Sequence, residues 1–178
     1  MNKGNRYVIG DIHGCIKTFR QLVTEQMRLT KDDTLFLLGD YIDRGPDPKG
    51  VIDYILDLQR RGFEVIPIMG NHEYMMLHST DGDKDFELWS VNGHAQTLIS
   101  FGTDPARVND RISVFDIPEK YMRFVSGLPL YAETKGFLMV HAGIGKDTTN
   151  PLEDAQTLLW TRAEVNDRKL LKNRRLNH

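Results

Sequence analysis

The stretch T-L-F-L-L-G-D-Y-I-D-R-G-P, Thr34 to Pro46, passes without a break from an apolar run into a cluster of carboxylates, an arginine and two glycines. A short continuous apolar run is what a strand covered on both faces looks like. The polar cluster then lies at that strand's carboxyl end, where open α/β sheets bind ligands. The same arrangement occurs on either side: V-I-G-D-I-H-G at Val8 to Gly14, and I-M-G-N-H-E at Ile68 to Glu73. A fourth cluster, M-V-H-A-G at Met139 to Gly143, follows a later apolar run.

Between these runs lie segments with apolar spacings of three and four, as in Val51, Ile52, Ile55, Leu56 and Leu58. Strands are expected at Tyr7 to Ile9, Thr34 to Leu38 and Glu64 to Met69, with helices near Ile16 to Met27 and Lys49 to Arg61. This βαβαβ pattern defines an α/β fold. Residues 81–124 lose the alternation and suggest short helices around Phe86 to Val91 and Ala95 to Phe101, read as a helical insertion or lid. A hairpin follows at Leu130 to Glu133 and Phe137 to His141, turned at Gly136, and a last helix begins near Leu152.

The 178 residues suit one domain, 1–178. Lys and Arg number 23 against 25 Asp and Glu, so no overall field favours nucleic acid or an anionic membrane. The run R-K-L-L-K-N-R-R, Arg168 to Arg175, reads as a solvated helix face, with an anion-binding tail as the alternative. No apolar run approaches the ~20 residues that span a bilayer. The single Cys15 precludes an internal disulfide, and the start shows no signal-peptide pattern, so a cytoplasmic location is expected.

Asp, His and Asn without thiolates suit hard or borderline divalent ions. Asp11 and His13 can face one ion, Asp40 can bridge two, and Asn71 and His141 can complete the second. Ions about 3.5–4 Å apart can hold a phosphate and acidify a shared water. Arg44 offers a planar fork for phosphate oxygens. His72, oriented by Asp43, suits protonation of the leaving oxygen. His94, in V-N-G-H-A, reads as solvent-facing, while Met75, Met76, Trp89 and Trp160 read as packing.

The blocks G-D-I-H-G (Gly10 to Gly14), G-D-Y-I-D-R-G (Gly39 to Gly45) and G-N-H-E (Gly70 to Glu73), with H-A-G (His141 to Gly143) and L-L-W-T-R (Leu158 to Arg162), resemble the phosphoprotein phosphatase superfamily. These are the calcineurin-like metallophosphoesterases, and the likeness is greatest to the short bacterial and bacteriophage protein phosphatases. The resemblance implies a metallophosphoesterase two-sheet sandwich flanked by helices. It implies two divalent ions, manganese or alternatively iron, zinc, nickel or magnesium, and hydrolysis by metal-activated water without a phosphoenzyme. It makes Asp11, His13 and Asp40 ligands of one ion and Asp40, Asn71 and His141 ligands of the other. His72 becomes the general acid with Asp43 as partner, and Arg44 and Arg162 contact phosphate.

The expected substrate is a phosphoserine or phosphothreonine protein, extending to phosphotyrosine, because the complete D-R-G and the Glu of G-N-H-E fit protein phosphatases. A dinucleoside tetraphosphate hydrolase is the alternative enzyme, and a metal- or phosphate-binding module without activity the alternative of another class. The family carries a further G-H-T-P-like block, and two alignments are open: His178 stands just before that block, which is then absent, or Asn177 and His178 replace its Gly-His; absence is the expectation. The sequence therefore predicts a fold lacking its last strands, a weakly held second ion, and an exposed sheet edge open to oligomer formation.

Overall fold

The computed structural model describes residues 4–144, 150 and 152–161. Arg162, the basic run at 168–175 and His178 lie outside them. Strands β1 (Arg6–Ile9), β2 (Thr34–Leu37) and β3 (Glu64–Pro67) form a parallel sheet in the order β1-β2-β3. Its register aligns Tyr7 with Leu35 and Leu35 with Val65. Strands β4 (Tyr131–Thr134) and β5 (Phe137–Val140) form a separate antiparallel pair, as the hairpin reading expected. Among the described residues the outer edges of β1 and β3 have no strand partner.

Helix α1 (Ile16–Gln21) follows β1 and continues as a π-helical turn at Leu22–Gln26. Helix α2 (Pro48–Arg60) starts where Asp47 accepts from Gly50 N at 2.8 Å and Pro48 fixes the first helical φ. Its apolar stripe of Val51, Ile52 and Ile55 is fully buried and joins Leu35 and Leu37 in the core. Burying each such side chain contributes roughly 1.5–3 kcal/mol. Among the described residues no helix is long and apolar enough to cross a membrane.

Helix α3 (Asn71–His78) begins on the loop after β3. The following segment is more helical than its sequence suggests, with α4 (Asp83–Ser90), α5 (His94–Ser100), two 3-10 turns and α6 (Glu119–Ser126). A final helix, α7 (Ala155–Trp160), follows β5. Met75, Met76 and Trp89 are buried in the core as expected. His94 is not solvent-facing. It is 3% exposed, edge-on to both Trp89 and Phe86, and its Nε2 lies 2.7 Å from Val108 O. The aromatic neighbours arrive from the preceding helix and the carbonyl from fourteen residues onward, so local polarity at V-N-G-H-A gives no hint of this burial.

Asp33 ties the entry of β2 to its surroundings. Its Oδ1 accepts from Asn5 N at 2.7 Å, and its Oδ2 accepts from Thr30 N at 2.8 Å and Thr30 Oγ1 at 2.7 Å. The Thr30 and Asn5 donors hold its pKa below the ordinary 3.8. Stability from this group is therefore complete above pH 3.8 and is lost as pH falls through the lower folded-state value. Asp33→Asn is expected to lower the urea midpoint at neutral pH, with the gap to the parent closing in strong acid. A gap independent of pH would show that the charge is irrelevant.

Candidate active site

Four loops meet at the carboxyl end of the parallel sheet. Two close approaches at glycines bring them together. A Cβ on Gly45 would lie 1.8 Å from His13 O, and one on Gly39 would lie 2.4 Å from Gly70 N. Only hydrogen at those positions lets the loop after β2 touch the loops after β1 and β3. The approach is held by Ile12 N and His13 N, which donate to Asp40 O at 3.0 and 2.8 Å.

Backbone strain gathers in the same place. Among the described residues, five that are not glycine have left-handed φ, and four are His13 (42°), Asp40 (54°), Asp43 (66°) and Arg44 (63°). Such conformations cost of order 1–3 kcal/mol each and persist where the surroundings enforce them.

Much of that enforcement comes from Glu73, which is completely buried. Its Oε2 accepts from Asp40 N at 2.8 Å and Gly70 N at 3.0 Å, and its Oε1 accepts from Tyr41 N at 2.8 Å and Ile42 N at 3.3 Å. Burial, with the Asp40 charge nearby, raises its pKa to about 7. From the sequence Glu73 reads as the start of a helix, with nothing to mark it as a clamp on the neighbouring loop. The available signal was its place three residues after Gly70, the position from which a glutamate caps a helix start. Glu73→Gln turns an NH2 toward donors and leaves buried N–H groups unpaired, at about 1–3 kcal/mol each. We expect an unfolding free energy lower by about 2–5 kcal/mol in urea titration; a loss below about 0.5 kcal/mol would refute this role.

Asp40 lies at the centre and is 3% exposed. Ligand atoms of His13, Asp40 and His72 fall within 4.8 Å of one another, and so do those of Asp11, Asp40 and His141. Asp40 belongs to both clusters. Asp11 is grouped with His141, and His13 faces His72 with ring centroids 4.6 Å apart. The cause is local: Leu38 N donates to Ile9 O at 2.9 Å while Leu38 O lies 2.6 Å from His141 Nδ1, which seats His141 beside the end of β1.

Each histidine has its Nδ1 against an acceptor: Ile42 O at 2.8 Å for His13, Asp43 Oδ2 at 2.6 Å for His72, and Leu38 O for His141. Bonding through Nδ1–H turns Nε2 inward, as metal-site histidines are commonly held. The Nε2 atoms of His13, His72 and His141 lie 3.6, 4.0 and 3.6 Å from Asp40 carboxylate oxygens. The inner end of the Asn71 amide lies 3.0 Å from His141 Nε2 and 3.2 Å from both Asp40 oxygens. With its oxygen inward this is a convergence of lone pairs that a cation would satisfy. With its nitrogen inward the amide donates to them. The donor set therefore fits divalent metal ions.

Arg44 reaches the same cluster, with Nη1 donating to His13 Nε2 at 2.9 Å. For His72, burial lowers the pKa, but the Asp43 hydrogen bond and the charges of Asp40 and Asp43 outweigh it and leave the value above the ordinary 6.5. The ring is thereby held toward its protonated form, the form that can give up a proton. Asp43 has two further partners that sequence reading did not assign: Trp89 Nε1 donates to its Oδ2 at 2.9 Å and Thr97 Oγ1 to its Oδ1 at 2.5 Å. Trp89 is packed as expected, but its polar edge is aimed at Asp43.

A parallel sheet whose loops bring aspartates, histidines and an asparagine together around one shared carboxylate defines a metallophosphoesterase. The chain belongs to the calcineurin-like phosphoesterase family, whose model matches residues 5–176. It is 30% identical over 167 residues to the symmetrical bis(5'-nucleosyl)-tetraphosphatase of Buchnera aphidicola subsp. Acyrthosiphon pisum, covering 94% of this chain and 53% of that protein. To the enzyme of the same name from Vibrio campbellii it is 27% identical over 154 residues, covering 85% and 47%. The chain thus spans about half the length of these curated relatives.

Two solved structures share the fold. One, described as a candidate diadenosine tetraphosphatase, has a TM-score of 0.52 at 22% identity, covering 82% of this chain and 57% of that one. A protein serine/threonine phosphatase from Saccharomyces cerevisiae has a TM-score of 0.55 at 16% identity, covering 89% and 52%.

Proposed function

We propose that this chain hydrolyses dinucleoside tetraphosphates symmetrically, releasing two nucleoside diphosphates, at the site centred on Asp40. The observation that carries this reading is the identity over nearly the whole chain to proteins named symmetrical tetraphosphatases. It favours a dinucleotide over the phosphoprotein substrate expected from the sequence. The Glu of G-N-H-E counted toward that expectation, but Glu73 is fully buried and committed to four backbone N–H groups.

In this reading Asp11, His13, Asp40, Asn71 and His141 hold two divalent ions, manganese being the ion that the family resemblance suggests. Such ions would supply Lewis acidity and lower the pKa of attacking water. The chain's own residues do the rest. Arg44 neutralises charge on the phosphate oxygens. As water attacks phosphorus and the bond to the bridging oxygen breaks, the proton on His72 Nε2 passes to that leaving oxygen. Asp43 keeps the ring in place throughout.

The test is product analysis with diadenosine tetraphosphate, a phosphopeptide and an aryl phosphate, each with and without manganese. The expected result is metal-dependent release of ADP alone from the dinucleotide, faster than phosphate release from the peptide. Turnover of the phosphopeptide without ADP release would restore the protein phosphatase reading. Metal binding with no turnover on any substrate would favour the non-catalytic module.

A further inference from the structure

Asp43 is fully buried with a left-handed φ of 66°, and its carboxylate is held on both oxygens by residues from the helical segment after α3. Oδ2 receives Trp89 Nε1 from α4 at 2.9 Å beside the His72 contact at 2.6 Å. Oδ1 receives Thr97 Oγ1 from α5 at 2.5 Å, and the same hydroxyl accepts from Asp43 N at 2.9 Å. The threonine thus bonds both the backbone and the side chain of one aspartate. Trp89 and Thr97 are themselves fully buried.

The turn that joins their helices is fastened to the site as well. Arg44 N donates to Gly93 O at 3.1 Å, and a Cβ on Gly93 would lie 2.9 Å from Arg44 Cγ. His94, edge-on to Trp89 at 5.4 Å between centroids and bonded toward Val108 O, braces the two helices against each other.

Core packing alone does not require this pattern. A phenylalanine and a valine would fill the same space without an indole N–H or a hydroxyl. With only His72 as partner, the carboxylate could swing about its terminal torsion, which is broad and two-fold. A donor on each oxygen removes that freedom and directs one lone pair at His72 Nδ1. The donors also keep a buried carboxylate satisfied.

We infer that Trp89 and Thr97 are positioning residues for the Asp43–His72 pair, so that segment 81–124 acts as a bracket for proton delivery and not only as a cover over substrate. This inference rests on the assignment of His72 as the general acid.

Proton delivery matters most when the leaving group is basic, so the experiment varies the leaving group. Trp89→Phe, Thr97→Val and Thr97→Ser are made in the full chain with manganese, beside His72→Asn. Phenyl phosphate and 2,4-dinitrophenyl phosphate serve as the poor and good leaving groups. Trp89→Phe and Thr97→Val are expected to slow phenyl phosphate about tenfold more than the dinitrophenyl ester, a fraction of what a positioned acid supplies, with Thr97→Ser close to the parent. In metal-free protein the downfield proton resonance of His72 Nδ1–H should shift in Trp89→Phe and Thr97→Val, a readout that needs no turnover.

Equal slowing of both esters with an unmoved His72 resonance would overturn the inference while leaving the acid assignment intact. If His72→Asn itself slowed both esters equally, the acid assignment would fail, and this inference with it.

Discussion

Asp40→Asn is expected to strip metal from both clusters and to lower turnover by more than the roughly 10–100-fold that loss of an outer partner commonly costs at a metal site. The substitution is chosen because asparagine tolerates the left-handed backbone that Asp40 adopts at φ 54°, so the loops need not move. What changes is charge and donor number at the one residue shared by His13 and His72 on one side and by Asp11 and His141 on the other. Among the described residues no other belongs to both groups. Metal content of the purified variant, measured beside turnover, decides the matter. Two ions retained at unchanged affinity would show that Asp40 is not their bridge.

His72→Asn should separate the acid from the ligands. A positioned general acid contributes roughly 10²–10⁴-fold, and a loss of turnover within that range is expected while bound metal stays at the parent level. The backbone is undisturbed in principle, because His72 reaches Asp40 Oδ1 through its N–H at 3.1 Å, a contact any residue can make. Yet His72 Nε2 lies 4.0 Å from Asp40 Oδ2, close enough for the ring itself to serve as a ligand. Loss of metal together with turnover would therefore make His72 a ligand and require another proton source.

The sequence was most informative where chemistry and period coincide locally. Thr34 to Leu37 is legible as a strand because four consecutive positions carry apolar or β-branched residues, and α2 because its stripe repeats over thirteen residues. The residues that converge on Asp40 stand out in the sequence because each lies in a polar cluster directly after an apolar run. Residues whose duty is set by distant partners were not legible. Thr97 serves Asp43 across 54 positions and Trp89 across 46, and neither neighbourhood in sequence contains an acid-base motif. His94 was misread for the same reason, its partners being assembled only by the turn of two helices. Glu73 stood in a visible motif, but a glutamate next to presumed ligands suggests function before it suggests a clamp on four backbone amides.

The tie between His141 Nδ1 and Leu38 O joins positions 103 residues apart. Closing so long a loop carries an entropic cost that only the finished contacts repay. The loops after β1, β2 and β3 can assemble among themselves, with Glu73 binding two of them together, before the chain beyond α6 has found its place. The cluster of His13, Asp40 and His72 therefore draws on local loops, while the cluster containing His141 depends on the docking of the β4–β5 hairpin. Loosening that hairpin would cost the second cluster a ligand and leave the first intact.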